Sequence, residues 1–194
     1  TWPSYPGPGN GGHYIPFKFV LAKRDPNCMP TNGIVRVDAS SLPNYTTDGV
    51  GTGGVPDATL KALSVWPNDQ YYNVWTVNHI DGPTGGTAGY AYYPGAGPAI
   101  DGTVILSTYA ASGTSTLAHE IGHGMGLPHT FDGDANGTAC PTNTDCNVDG
   151  DGICDTEPHI RTIDCATTIN PCTGTSMNFT QHSFMSYSHG CRDR

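Results

Sequence analysis

The chain has 194 residues, of which 26 are glycine and 16 proline, together about a fifth and under the roughly 25–30% that marks low-complexity sequence. Charged residues make up 13%, about half the roughly 25% usual share, and 17 acidic against 8 basic side chains give a formal net charge of -9, which argues against nucleic acid as a partner. No run nears the ~18 consecutive apolar residues of a membrane span, so a folded chain with no membrane span is expected.

Residues 1–13 are rich in proline and glycine, lack periodicity, and read as an extended N-terminal arm. Ile15–Leu21 alternates apolar and polar side chains and predicts a strand, and Gly33–Val37 predicts another. Pro56 and Asp57 open a short helix carrying Leu60 and Leu63, which Pro67 ends. Tyr72–Ile80 is the strongest strand pattern, followed by a short edge-strand candidate at Gly89–Tyr93 and a further strand at Thr103–Tyr109. Thr114–Leu127 turns helical, with Leu117, Ile121 and Met125 spaced by four. Beyond Pro128 little is periodic, and six of the seven cysteines fall between Cys140 and Cys191, so cross-links and bound metal are expected to hold that part together. Disulfides persist in oxidising compartments, which predicts secretion. A Cys-rich zinc knuckle is disfavoured by the absence of any CxxC pair.

The chemistry is concentrated in the eleven residues from His119 to His129. Residues four apart lie on one helix face, so His119 and His123 can offer nitrogens to one zinc ion. Glu120 is rotated away from the ion but within reach of a water bound there, where a general base belongs. Gly126 can take a positive φ and bring His129 back as third ligand. Three protein ligands leave a coordination position open, the mark of a catalytic rather than a structural zinc. Given the composition of this chain, which has only two glutamates, the register of three histidines, one glutamate and one glycine arises by chance with a probability on the order of 10⁻⁵. The rival reading is a non-catalytic secreted zinc-containing adhesion or protein-binding module, which has no need of Glu120.

The pattern HExxHxxGxxH with Ser183-Phe184-Met185-Ser186-Tyr187 downstream resembles the metzincin metallopeptidases. Within them, Asn73-Val74-Trp75, Gly86-Thr87-Ala88-Gly89-Tyr90, Asp101-Gly102, His129-Thr130-Phe131 and Cys154-Asp155-Thr156 are similar to the pappalysin family, including ulilysin-like secreted peptidases. The resemblance implies an α+β two-lobe metallopeptidase. Residues 14–129 would form an N-terminal sub-domain with a twisted mixed sheet, a backing helix and the zinc-binding helix, and residues 130–194 an irregular disulfide-stapled C-terminal sub-domain. Metzincins continue into a C-terminal helix where this chain stops at Arg194, so truncation is expected. The start at Thr1, without initiator Met or signal, reads as a processed product and leaves room for an upstream pro-segment.

The resemblance also implies roles. Met185 would lie beneath the zinc in the Met-turn, and Tyr187 would stabilise the transition state. Gly89, Tyr90, Ala91 and Tyr92 would form an upper-rim strand binding an extended polypeptide substrate. Cys140 would pair with Cys172 and Cys165 with Cys191; sequence proximity then suggests Cys146–Cys154, leaving Cys28 alone. The acidic run with Asp149, Asp151, Asp155 and Thr156 resembles a calcium loop. The function expected is that of a secreted zinc endopeptidase in which Glu120 is general base toward a zinc-activated water.

Overall fold

The computed structural model describes residues 18–110, 114–163 and 165–188, which fall into two compact units meeting at Gly126 and Leu127. The sequence-based boundary lies three residues further on, after His129.

The unit Lys18–Gly126 is built on a three-stranded sheet. Helices α1 (Tyr45–Asp48) and α2 (Asp57–Lys61) precede strands β1 (Val74–Val77), β2 (Gly89–Ala91) and β3 (Thr103–Leu106), and α3 (Thr116–Gly124) follows. The order is β1-β3-β2, with β3 central, parallel to β1 (Trp75 opposite Val104) and antiparallel to β2 (Tyr90 opposite Val104), so the sheet is mixed. Position in the sheet explains the side chains. β1 alternates, burying Trp75 and Val77, whereas central β3 buries Thr103, Val104 and Ile105 in succession because it is covered on both faces. Val50, Val55, Leu60, Trp75, Val77, Ile80 and Val104 form the core.

Of the two predicted strands, Gly33–Val37 does not form, and residues 18–21 of the other are not assigned to a strand, 15–17 lying outside the described residues; Phe19, Val20, Leu21, Ile34, Val35 and Val37 are exposed. Local alternation predicts strand propensity, but a strand also needs a neighbouring strand, and the described sheet is made of β1, β3 and β2. The strands that do form are shorter than their patterns: β3 ends when Tyr109 N–H bonds back to the Leu106 carbonyl.

Helix α3 forms within the predicted Thr114–Leu127, and its buried positions are Thr116, His119, Glu120, Gly122 and His123, while Met125 just past its end is 50% exposed. Its end is seated on the sheet through Gly124, where a Cβ would come within 1.9 Å of the Tyr72 hydroxyl. That hydroxyl in turn shares a 2.7 Å hydrogen bond with Thr103 of β3. Gly126 follows at φ 93°, its N–H bonded to the His123 carbonyl, and turns the chain out of the helix.

The unit beginning at Leu127 has one described helix, α4 (Asn178–Gln181), and its apolar interior is small: Phe131, Met177 and Met185. Cross-links and buried polar groups organise the rest. Cys140–Cys172 and Cys146–Cys154 are disulfides, and Cys165 is disulfide-bonded, its expected partner Cys191 lying outside the described residues; Cys28, in the other unit, is free and exposed. Fully buried His159 shares hydrogen bonds with Thr130 Oγ1 (3.0 Å) and the Ile160 carbonyl (3.1 Å). Buried Asn170 donates to the Pro158 carbonyl and accepts from Cys172 N–H. No helix among the described residues is long and apolar enough to cross a membrane.

Candidate metal centre

Helix α3 sets His119 and His123 one turn apart, 5% and 8% exposed, with ring centroids 4.7 Å apart, planes at 87° and Nε2 atoms 3.1 Å from each other. Two nitrogens bound at ~2.0–2.1 Å to a tetrahedral ion stand about 3.3 Å apart, so the pair already has the bite of a chelate. Gly126 is the turn between this pair and His129, and within the stretch 119–129 the ligand nitrogens of all three histidines lie within 4.8 Å of one another. Imidazole donors in this number and spacing fit zinc.

Glu120 is 6% exposed, and burial pushes its carboxyl up to about 7. Its seat depends on Gly89 of β2: a Cβ there would lie 3.0 Å from Glu120 Cγ, 3.4 Å from its Cδ and 3.0 Å from the Val104 carbonyl. Tyr93, two residues beyond β2, meets the His123 ring edge-on at 5.7 Å.

In the unit beginning at Leu127, His129 stacks on Phe131 (4.8 Å, 9°) and meets Tyr187 edge-on (4.8 Å, 71°), while Phe131 and Tyr187 pack at 4.7 Å. Arg161 covers this group, its guanidinium 4.9 Å from the Phe131 centroid and 6.0 Å from that of Tyr187. A bidentate pair with Asp134, at 2.6 and 2.8 Å, holds the guanidinium, and Asp134 also accepts Arg161's backbone N–H. The paired guanidinium holds the buried Asp134 carboxyl down at about 2. Met185 is 6% exposed, and its carbonyl accepts the N–H of Thr130, the residue after His129. The downstream turn is thereby tied to the third histidine's own segment.

The acidic loop is organised differently. Asp149 Oδ2 accepts the N–H groups of Thr144 and Asp145, and Asp151 Oδ1 that of Ile153. Among the described residues the three histidines are the one group of three or more His, Cys, Asp or Glu side chains with ligand atoms close enough to share an ion, and Asp149, Asp151 and Asp155 do not form a second. Calcium is therefore not shown here.

Of the expected substrate strand, Gly89, Tyr90 and Ala91 form β2 at a sheet edge, and Tyr92 lies just beyond it. The Tyr90 side chain is committed elsewhere: its hydroxyl donates to Asp57 Oδ1 at 2.6 Å, so what this residue offers at the edge is backbone. Sequence reasoning missed the steric role of Gly89, the Arg161–Asp134 brace, and Lys61 behind β2. No local motif marks any of them, because each depends on partners from other segments: Asp134 for Arg161, Glu120 and Val104 for Gly89, and rings of separate strands for Lys61.

A helix bearing a His-Glu-x-x-His face, a glycine turn to a third histidine and a buried methionine tied to that histidine's segment make up the signature of the metzincin class. A family model described as pregnancy-associated plasma protein-A, peptidase M43, matches residues 57–194, and the chain belongs to this pappalysin family. It is 31% identical over 130 residues to an extracellular metalloprotease of Arthroderma otae, covering 60% of this chain and 44% of the relative. Over 118 residues it is 32% identical to extracellular metalloprotease 1 of Coccidioides posadasii, covering 54% and 38%. The structure of mirolysin in complex with a compound superposes with a TM-score of 0.64 at 25% identity, covering 90% of this chain and 64% of that one. A second structure, mature mirolysin of Tannerella forsythia with a cleaved peptide, gives 0.61 at 24% identity. The chain thus spans less than half the length of these curated relatives and under two thirds of mirolysin.

Proposed function

We propose that this chain carries the catalytic centre of a secreted zinc endopeptidase. The observation that carries the proposal is the grouping of His119, His123 and His129 around one point, with Glu120 on the same buried helix face. The three imidazoles would hold a zinc ion. When bound, zinc supplies Lewis acidity, making a water acidic enough to deprotonate near neutrality and polarising the scissile carbonyl. Glu120 takes the proton of the attacking water and passes it to the departing amine. The Tyr187 hydroxyl, on a ring braced by Phe131 and Arg161, donates to the carbonyl oxygen as charge builds there. The free edge of β2 aligns an extended polypeptide antiparallel through main-chain hydrogen bonds. Mirolysin's structure with a cleaved peptide supports a peptide substrate, and the relatives' description as extracellular, together with the disulfides, supports secretion. Zinc is the only metal in the proposal; a calcium ion at Asp149, Asp151, Asp155 and Thr156 rests on the loop's acidic composition and on family resemblance.

The test is digestion of a reduced, denatured protein by the purified zinc-loaded chain, with fragments sequenced by mass spectrometry. Cuts within the chain are expected, lost with a chelator and restored by stoichiometric zinc. Release of terminal residues only, or no cleavage, would overturn the proposal.

A further inference from the structure

The most unusual side chain outside the metal centre is Lys61, at the end of α2. It is 1% exposed. Its ammonium pairs with Asp57 Oδ2 at 3.0 Å one turn back and donates to the Ile100 carbonyl. It also lies against three rings, 5.1 Å from the centroid of Trp75 on β1, 5.6 Å from Tyr90 on β2 and 4.8 Å from Tyr92 just past β2. Asp57 completes the cluster by accepting the Tyr90 hydroxyl at 2.6 Å.

A buried ion pair is a poor device for stability, because well-packed apolar side chains of similar volume often serve as well or better. What it does supply is position, since one point charge satisfied from several directions fixes every group around it. Here those groups converge on β2. Tyr90 and Tyr92 are two apart and share a strand face, and both reach the Lys61 cluster; Gly89, on the opposite face, abuts Glu120. One edge of β2 bonds to β3, and no described strand covers the other. A three-residue strand with one paired edge is weakly held, and the cluster grips it from behind without using the open edge's hydrogen-bonding groups.

We propose that Lys61, together with Asp57, is a positioning residue for substrate: it holds β2 in place so that its open edge is ready to receive an extended peptide. The inference rests on the reading of β2 as the substrate strand, and the test separates the two. A peptide substrate is compared with a series in which one non-scissile amide at a time is replaced by an ester, deleting a single N–H donor. In the unaltered enzyme at least one ester raises KM by about fivefold, the scale of one lost hydrogen bond. In Lys61→Met the all-amide peptide shows KM raised about tenfold with kcat within about twofold and zinc content unchanged, and the ester penalty shrinks toward one. Tyr90→Phe keeps the ring and removes only the hydroxyl that Asp57 accepts; it shifts KM in the same direction by about twofold to threefold, and its result decides the matter if Lys61→Met does not fold. Should the unaltered enzyme show no ester penalty at any position, the substrate-strand reading falls and this inference with it. A penalty that survives undiminished in the folded variants, or a loss confined to kcat, overturns the role of Lys61 while leaving β2 as the substrate strand.

Discussion

Glu120→Gln is expected to lower peptide hydrolysis by at least ~10³-fold while the chain still binds one zinc per molecule. Gln is nearly isosteric with Glu, so it fills the same buried space between α3 and Gly89 and leaves the flanking histidines undisturbed. What it lacks is a basic oxygen to accept a proton, and positioned acid–base catalysis is worth roughly 10²–10⁴-fold. The measurement is kcat/KM on a fluorogenic peptide beside metal content by mass spectrometry. Loss of activity with zinc retained separates catalysis from metal holding. It also bears on the alternative of a non-catalytic adhesion or binding module, for which Glu120 would be dispensable; unchanged hydrolysis in the variant would remove the general-base assignment.

Gly89→Ala should reduce kcat by about tenfold to a hundredfold through a single added methyl group. That methyl would sit 3.0 Å from both Glu120 Cγ and the Val104 carbonyl, closer than ordinary carbon contacts. Val104 is fully buried in the central strand, so its carbonyl has little freedom to retreat, and the Glu120 side chain is the partner that moves. Displacement of a catalytic group by about 1 Å can lower a rate by ~10²-fold. Gly89 does not have a positive φ, so alanine introduces no backbone strain and the effect reports on the seat of Glu120. Steady-state kinetics with zinc content unchanged is the expected outcome; a variant with wild-type kcat would show that Glu120 works equally well from a shifted position.

The centre was legible because its geometry is local. Ligands at i and i+4 on a helix and a third after a glycine turn need only the helical repeat and the φ of Gly126, both of which the sequence carries. The helix forms where the four-residue spacing of Leu117, Ile121 and Met125 predicts it, and its buried positions are Thr116, His119, Glu120, Gly122 and His123. The strand pattern at Gly33–Val37 does not become a strand, because alternation is a property of a segment, and pairing is a property of its partner. Long-range effects were invisible. Nothing near residue 89 announces that a side chain there would collide with residue 120, and nothing in Asp57-Ala58-Thr59-Leu60-Lys61 says that its lysine is caged by rings from two strands and the loop beyond. In the acidic loop, whose composition suggests an ion site, the Asp149 and Asp151 carboxylates accept backbone N–H groups of their own turn.

The most direct measurement of the metal centre is zinc K-edge X-ray absorption on the purified zinc-loaded chain. Three imidazole nitrogens from His119, His123 and His129 predict a first shell of nitrogen and oxygen only, four atoms at ~2.0–2.1 Å, with multiple scattering from three rings. Sulfur scatterers near ~2.3 Å, or a fourth protein side chain in place of the oxygen, would mean a closed structural zinc and contradict the catalytic assignment.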